Sequence, residues 1–120
     1  MTREIAESDW KFFRQLHPVA LERFCERILN EIESANTDDA KSFHQRYLDI
    51  YQIIEHRDKE LVDAFNDLRR STALMQIVTI YSRGLLTETE LKGFSQEVLN
   101  VIKLLLDGRH ASLRKPVASQ

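Results

Sequence analysis

The spacing of apolar residues along this chain is helical almost throughout. Between Val19 and Arg83 there is no glycine or proline, the two residues that most often interrupt a helix. Within that stretch, the members of one apolar series fall within about 40° of a single line on a helical wheel. They are Phe43, Tyr47, Ile50, Ile54, Leu61, Phe65 and Leu68. The series predicts one long helix over about residues 38–70, roughly 50 Å long at 1.5 Å per residue.

A second apolar series precedes that helix and lies on both sides of Pro18. Ser8 and Asp9 suit the start of a helix, and a proline fits the first turn of a new one. We therefore predict a short N-terminal helix at about residues 9–16 and another at 18–34. The apolar faces of the two segments stay in phase across the proline, so a single kinked helix through Pro18 is the alternative.

The segment 73–83 is apolar nearly all round, which is typical of a helix that is buried on both sides. Leu74, Ile77 and Tyr81 lie on the side opposite the earlier apolar series. Two interpretations follow. This helix is either the central helix of the fold, entered after a bend at Ser71, or one of its faces meets a second subunit.

A capping box marks the beginning of the last helical region. Thr87 is followed three residues later by a glutamate, the pattern in which each side chain caps the other's backbone N–H. Apolar residues then recur at helical spacing until shortly before Gly108, and residues 109–120 are polar and basic. We predict an all-α bundle of four to five helices in a single domain, 1–108, followed by a disordered basic tail.

Composition narrows the classes of function. The chain has 120 residues with a formal net charge of −2, and part of its positive charge lies in the tail, so binding to nucleic-acid phosphates is disfavoured. No apolar run approaches the about 20 residues of a membrane span, and no secretory signal is visible. The single cysteine, Cys25, excludes an intramolecular disulfide and fits a reducing compartment. We expect a cytoplasmic protein.

No motif in the sequence indicates catalysis or a bound cofactor. The chain lacks phosphate-binding glycine loops and the Glu-x-x-His motif of di-iron bundles. His56 and Glu60 are one helical turn apart, but two ligands do not make a metal site. Cys25 falls on the apolar face of its helix and is interpreted as a core residue. We predict neither enzymatic activity nor a metal or cofactor.

The long apolar series is interrupted between Ile54 and Leu61, where Arg57 and Asp58 stand at the seam positions. One interpretation is that these two residues only flank the seam and are solvated. The other is a kink, a buried ion pair or a polar element that sets the pairing register. Near the N-terminus, the aromatic cluster around Phe12 has two similar interpretations: a clasp folded over the bundle, or an exposed anchor for a partner.

The leading hypothesis is a helical interaction or structural module that self-associates, as a homodimer, or binds a protein partner. Its candidate surface comprises Trp10, Phe13, Arg57, Arg69, Arg70, Leu74, Ile77 and Tyr81. Under this hypothesis, Ile77→Glu separates the subunits before helicity is lost. The alternative is a regulatory domain that binds a small molecule in a pocket between helices, with Tyr47, Tyr51, Tyr81, Met75 and an arginine as candidate lining residues.

Overall fold

The computed structural model describes the backbone of residues 4–118 and the side chains of residues 4–108. Within this range the chain forms helices and no strand. The helices are α1 (Glu7–Asn36), α2 (Phe43–Phe65), α3 (Ala73–Ser82), α4 (Glu88–Leu91) and α5 (Gln96–Ala118). The predicted all-α fold of four to five helices is therefore confirmed.

The first helix is the longest, and the predicted short N-terminal helix is wrong. α1 has 30 residues and runs without interruption through Pro18, so the alternative of a single helix is correct. A proline in a helix interior removes one backbone hydrogen bond and costs about 3 kcal/mol. Burial of Phe13 and Leu16 before the proline and of Ala20 and Phe24 after it offsets that cost, because residues on both sides of the proline reach the core.

The helix predicted over residues 38–70 is shorter at both ends in the structure. α2 has 23 residues and begins after Ser42, whose hydroxyl accepts a hydrogen bond from the backbone N–H of Gln45 at 3.0 Å. It ends before Asp67, which has a left-handed φ of 63° that a continuing helix does not allow. The side-chain amide of Gln76 in α3 donates to the backbone carbonyls of Asn66 and Asp67. This contact satisfies carbonyls that the break leaves without helical partners.

α3 is the central helix of the fold. It contacts α1, α2 and α5, and Ile77, Val78 and Ile80 are fully buried. Of the two interpretations of this all-round apolar segment, burial within one chain is the one that the structure shows. Ile77 is therefore wrong as a member of an interaction surface, since the chain's own core already covers it.

The N-terminal aromatic residues form a clasp over the core. Phe13 is fully buried, which makes it wrong as an interaction residue, while Trp10 and Phe12 are half-buried. The ring of Phe12 meets Phe94 edge-on at a centroid distance of 4.9 Å. Burial of the aromatic cluster agrees with the clasp interpretation, and it ties the start of α1 to the start of α5.

Asp9 adds a polar bond to the same junction. It is a buried carboxylate that accepts hydrogen bonds from the backbone N–H and the hydroxyl of Ser95, at 2.8 and 2.7 Å. Because Ser95 immediately precedes α5, Asp9 places a negative charge at the positive end of that helix. Asp9, which was predicted to start a short first helix, thus helps to fix the start of α5.

Gly93 is required by the packing of the Phe12 ring. A Cβ atom at this position would overlap the ring, so we expect Gly93→Ala to destabilise the fold by about 1–3 kcal/mol through overpacking. The matched control is Gly108→Ala, where a Cβ meets nothing within 4 Å and the substitution favours the helix. Urea denaturation of both variants checks this prediction, and equal stabilities would contradict it.

α4 is held against α1 by an ion pair. The predicted capping box is present between Thr87 and Glu90, and Glu90 also forms a two-point pair with Arg23 at 2.7 and 2.8 Å. Hydrogen bonds from Arg23, and then from the Thr87 backbone, lower the pKa of Glu90 from 4.5 to about 2. The Arg23–Glu90 pair therefore connects the cap of α4, which the sequence predicted, to α1, which is distant in the sequence.

The pair is expected to contribute stability that depends on pH. Because the pKa of Glu90 is lower in the folded state, its contribution is complete above about pH 4.5 and is lost as the pH falls towards 2. Glu90→Gln should cost about 1 kcal/mol at pH 7, after allowance for partial exposure of the pair. Denaturation measured from pH 7 to pH 2 should show that the difference in unfolding free energy between Glu90→Gln and wild type disappears. A difference that stays constant with pH would contradict this, and so would an equal loss of stability in the exposed control Glu26→Gln.

α5 continues to Ala118, past Gly108, where the sequence predicted its end. A glycine in an exposed helix costs only about 1 kcal/mol relative to alanine, which does not suffice to stop the helix. The side chains of residues 109–118 and all of residues 119–120 lie outside the described part of the chain. The predicted disordered basic tail therefore stays a prediction.

The core occupies one end of the hairpin formed by α1 and α2. The buried residues of α1 end at Phe24, and those of α2 are Ala64 and Phe65. We call residues 25–36 and 43–56 the hairpin arm. It is tied to the rest of the fold near Ile28, which packs against the core, and Arg27, which donates to the backbone carbonyls of Arg83 and Gly84. The radius of gyration is 17.6 Å, against about 14 Å for a compact domain of this length, as expected if the hairpin arm and the long α5 both extend from the core.

Candidate interaction surface on the second helix

Within the described part of the chain, the apolar series of α2 is covered mainly at its C-terminal part. Leu61 and Phe65 pack in or against the core. In the hairpin arm, Ile50 is partly buried, and the apolar residues beside it are open to solvent. They are Phe43 (84% exposed), Tyr47 (65%), Tyr51 (56%) and Ile54 (50%). We call these four residues the exposed stripe.

The exposed stripe lies on a face of α2 that α1 does not cover. Its members are spaced at i, i+4, i+8 and i+11, within about 80° on a helical wheel. The residues that bind α1 lie about 80–100° to one side of the stripe's centre. Arg46 donates to the carbonyl of Asn36 at 2.7 Å, and Arg57 pairs with Glu31 at 2.9 Å. The stripe therefore adjoins the α1–α2 contact and is separate from it.

The exposed stripe is large for a protein of this size. With about 200 Å² for each fully exposed aromatic side chain, the three aromatic residues alone expose on the order of 400 Å². Single chains rarely expose contiguous apolar patches above a few hundred Å² unless the patch has a function. Two of the residues are tyrosines, which are enriched at the centres of protein interfaces. A surface of this composition is suited to contact with another protein surface.

At Arg57, where the apolar series is interrupted, the structure has a network of ion pairs. Arg57 contacts Glu31 of α1 at 2.9 Å and Glu60 of its own helix at 2.7 Å. Glu60 also lies 3.4 Å from Arg83, at the end of α3. Hydrogen bonding to Arg57 lowers the pKa of both glutamates. Arg57 is thus a half-buried cross-link between helices, and the interpretation of a merely solvated flank is wrong for it.

The other arginines of the candidate surface also have partners within the chain. Arg69 pairs with Asp67 at 2.7 Å in the loop after α2. Arg70 donates to the backbone carbonyl of Ile5 at 2.8 Å, which fastens the segment before α1. These contacts place both residues near the core end of the molecule, so the arginines predicted for the surface do not gather with the exposed stripe.

The apolar members of the candidate surface do not form a free patch either. Trp10, Leu74 and Tyr81 are half-buried and pack against the core. Together with the full burial of Phe13 and Ile77, this means that the predicted residues do not assemble into one exposed surface. The open apolar face lies instead on α2, whose Tyr47 and Tyr51 had been predicted to line a pocket.

The residues predicted to line a pocket do not lie together, and of the four tyrosine and methionine residues named, Tyr81 borders an open cavity. Tyr47 and Tyr51 lie on the open face of the arm, and Met75 is about half-exposed on α3. None of the three borders the open cavity of about 610 Å³ that α3, α4 and α5 form around Tyr81 and Ile102. Tyrosines on an apolar stripe suit a pocket wall, but they equally suit an open contact surface.

Among the described residues, no three histidine, cysteine, aspartate or glutamate side chains are grouped so as to hold a metal ion. Over the same part of the chain, no helix combines the length and apolar character needed to cross a membrane. Cys25, interpreted from the sequence as a core residue, is a free thiol on α1 that is only partly buried.

Comparison with known proteins assigns no function to this surface. The chain matches no protein-family model. No match is found among curated proteins or among solved structures either. Function is therefore inferred from the geometry of the described residues alone.

Proposed function

We propose that the protein is a helical interaction module that self-associates through the exposed stripe of α2. The observation that carries the proposal is the exposure of Phe43, Tyr47, Tyr51 and Ile54 on the hairpin arm. Covering about 400 Å² of apolar surface contributes on the order of 10 kcal/mol per copy before the costs of association. A free-energy gain of this size can support a reversible dimer.

The fold supports this proposal by holding the arm in a fixed position. Arg57 links α1 and α2 through Glu31 and Glu60, and Glu60 in turn reaches Arg83 at the end of α3. A rigid surface binds with a smaller loss of conformational entropy than a flexible one. The proposal involves no catalytic step and no cofactor, and the free thiol of Cys25 fits a reducing, cytoplasmic setting.

The proposal is tested by the solution mass of the unmodified protein. We expect sedimentation equilibrium to show a reversible change from the mass of one chain to that of two, with a dissociation constant of about micromolar order. High salt should not abolish the dimer, because apolar contacts are not screened as charges are. A single-chain mass at the highest soluble concentration would contradict the proposal.

A second candidate function has one observation in its favour. The cavity beside Tyr81 has a volume of about 610 Å³, which lies in the range of small-molecule sites. The hydroxyl of Tyr81 donates to Glu88 at its rim, so the cavity offers polar and apolar walls together. A thermal-shift screen of nucleotides, acyl chains and aromatic metabolites tests this candidate, and the absence of any stabilisation would count against it.

A further inference from the structure

We infer that the exposed stripe binds the same stripe of a second copy in antiparallel orientation, across a two-fold axis near Asp49. This inference rests on the proposed self-association and specifies its geometry. In a two-fold interface every contact forms twice. Where residue i of one copy contacts residue j of the other, residue j of the first copy also contacts residue i of the second. A surface suited to such an interface must therefore present similar residues at equal distances on both sides of the two-fold axis.

The exposed stripe has this symmetry. Tyr47 and Tyr51 lie two residues before and after Asp49, while Phe43 lies six residues before it and Ile54 five residues after it. Antiparallel pairing sets Phe43 of each copy against Ile54 of the other and brings the four tyrosine rings together at the centre. Tyrosine rings in such a cluster pack by their faces and edges while their hydroxyls reach water at the rim.

Two polar residues beside the stripe are complementary in this arrangement, because an imidazole N–H can donate a hydrogen bond to a carboxylate. His44 and Glu55 are exposed, and each follows a stripe residue by one position, so both flank the same side of the stripe. When two helices pair antiparallel, equivalent flanks meet. His44 of one copy then lies level with Glu55 of the other, and the two-fold axis generates this contact twice.

The location of the core also favours antiparallel pairing. The core surrounds only the C-terminal end of α2, and the exposed stripe lies in the N-terminal half. A parallel pair would place two cores side by side at the same end, where they would hold the arms apart. An antiparallel pair places the cores at opposite ends and leaves the stripes free to meet.

The area available matches a modest dimer. The three aromatic residues and Ile54 together expose on the order of 500 Å² per copy. Two copies would bury about 1,000 Å², which is near the lower limit for a specific interface. The stripe is thus sufficient for a reversible pair of equal chains, without the large area of an obligate dimer.

Site-specific cross-linking tests the orientation. In a Cys25→Ser background, chains carrying His44→Cys are mixed with chains carrying Glu55→Cys and treated with a short bis-maleimide. We expect a covalent dimer in the mixture only. In the antiparallel arrangement the two introduced thiols lie side by side, whereas two copies of the same thiol are offset by about 15 Å along the helices. Gln52→Cys, on the far side of α2, serves as the control that should not cross-link.

The outcomes separate the orientation from the self-association. Cross-linking of His44→Cys chains with one another would show a parallel pair and overturn the inference. So would absence of any cross-link in variants that still sediment as dimers, because another face would then be in contact. A single-chain mass of the unmodified protein would instead remove the proposed self-association, and the inference with it.

Discussion

Replacing Ile77 with glutamate is expected to unfold the protein and not to separate two subunits. Ile77 is fully buried in α3, at the centre of the fold. The variant loses the burial of a large apolar side chain and places a carboxylate in the core without a partner. The expected loss is at least about 5 kcal/mol, which is comparable with the whole stability of a small domain. Circular dichroism should show the loss of helicity.

The matched control lies two residues earlier on the same helix. Met75 is about half-exposed, so Met75→Glu should change the free energy of unfolding by no more than about 0.5 kcal/mol. If Ile77→Glu kept a cooperative unfolding transition close to that of wild type, α3 would not be the central helix.

Placing two glutamates on the exposed stripe is expected to dissociate the proposed dimer and leave the fold intact. Tyr47→Glu and Ile54→Glu together remove apolar contacts and face charges of the same sign across the two-fold axis. Residues at the centre of an interface commonly contribute about 2 kcal/mol or more, and each occurs twice in a symmetric dimer. We therefore expect the dissociation constant to rise at least about 100-fold, with unchanged helicity at low concentration.

Leu104 provides the control for this variant. It is 71% exposed on α5, so Leu104→Glu makes the same kind of change on a surface outside the stripe. Sedimentation equilibrium of this variant should give the wild-type dissociation constant. Dissociation by Leu104→Glu, with no effect of the stripe variant, would place the interface on α5.

The sequence predicted the elements more reliably than their ends. Periodicity identified α2 and the all-round burial of α3, and the glutamate three residues after Thr87 identified the cap of α4. The end of α2 was missed because the apolar series stays in phase as far as Leu68. What ends the helix is the left-handed backbone of Asp67 together with hydrogen bonds from Gln76. Those bonds depend on the tertiary position of α3, which no local pattern reveals.

The candidate surface was harder to predict because periodicity does not say what covers an apolar face. Tyr47 and Phe65 belong to one series, yet only Phe65 meets the core. The difference arises because the core surrounds one end of the hairpin and leaves the arm uncovered. One signal was available in the sequence: the exposed half of α2 contains tyrosines at positions 47 and 51, whose hydroxyls favour a face in contact with water.

The central claim is that the open face of α2 is the surface through which two copies meet. Amide chemical shifts recorded over a dilution series test it most directly, because they identify the residues whose surroundings change as the copies separate. We predict concentration-dependent shifts within residues 43–55 and constant shifts in α3. Shifts centred on another helix, or constant shifts in 43–55 while the mass doubles, would contradict the claim.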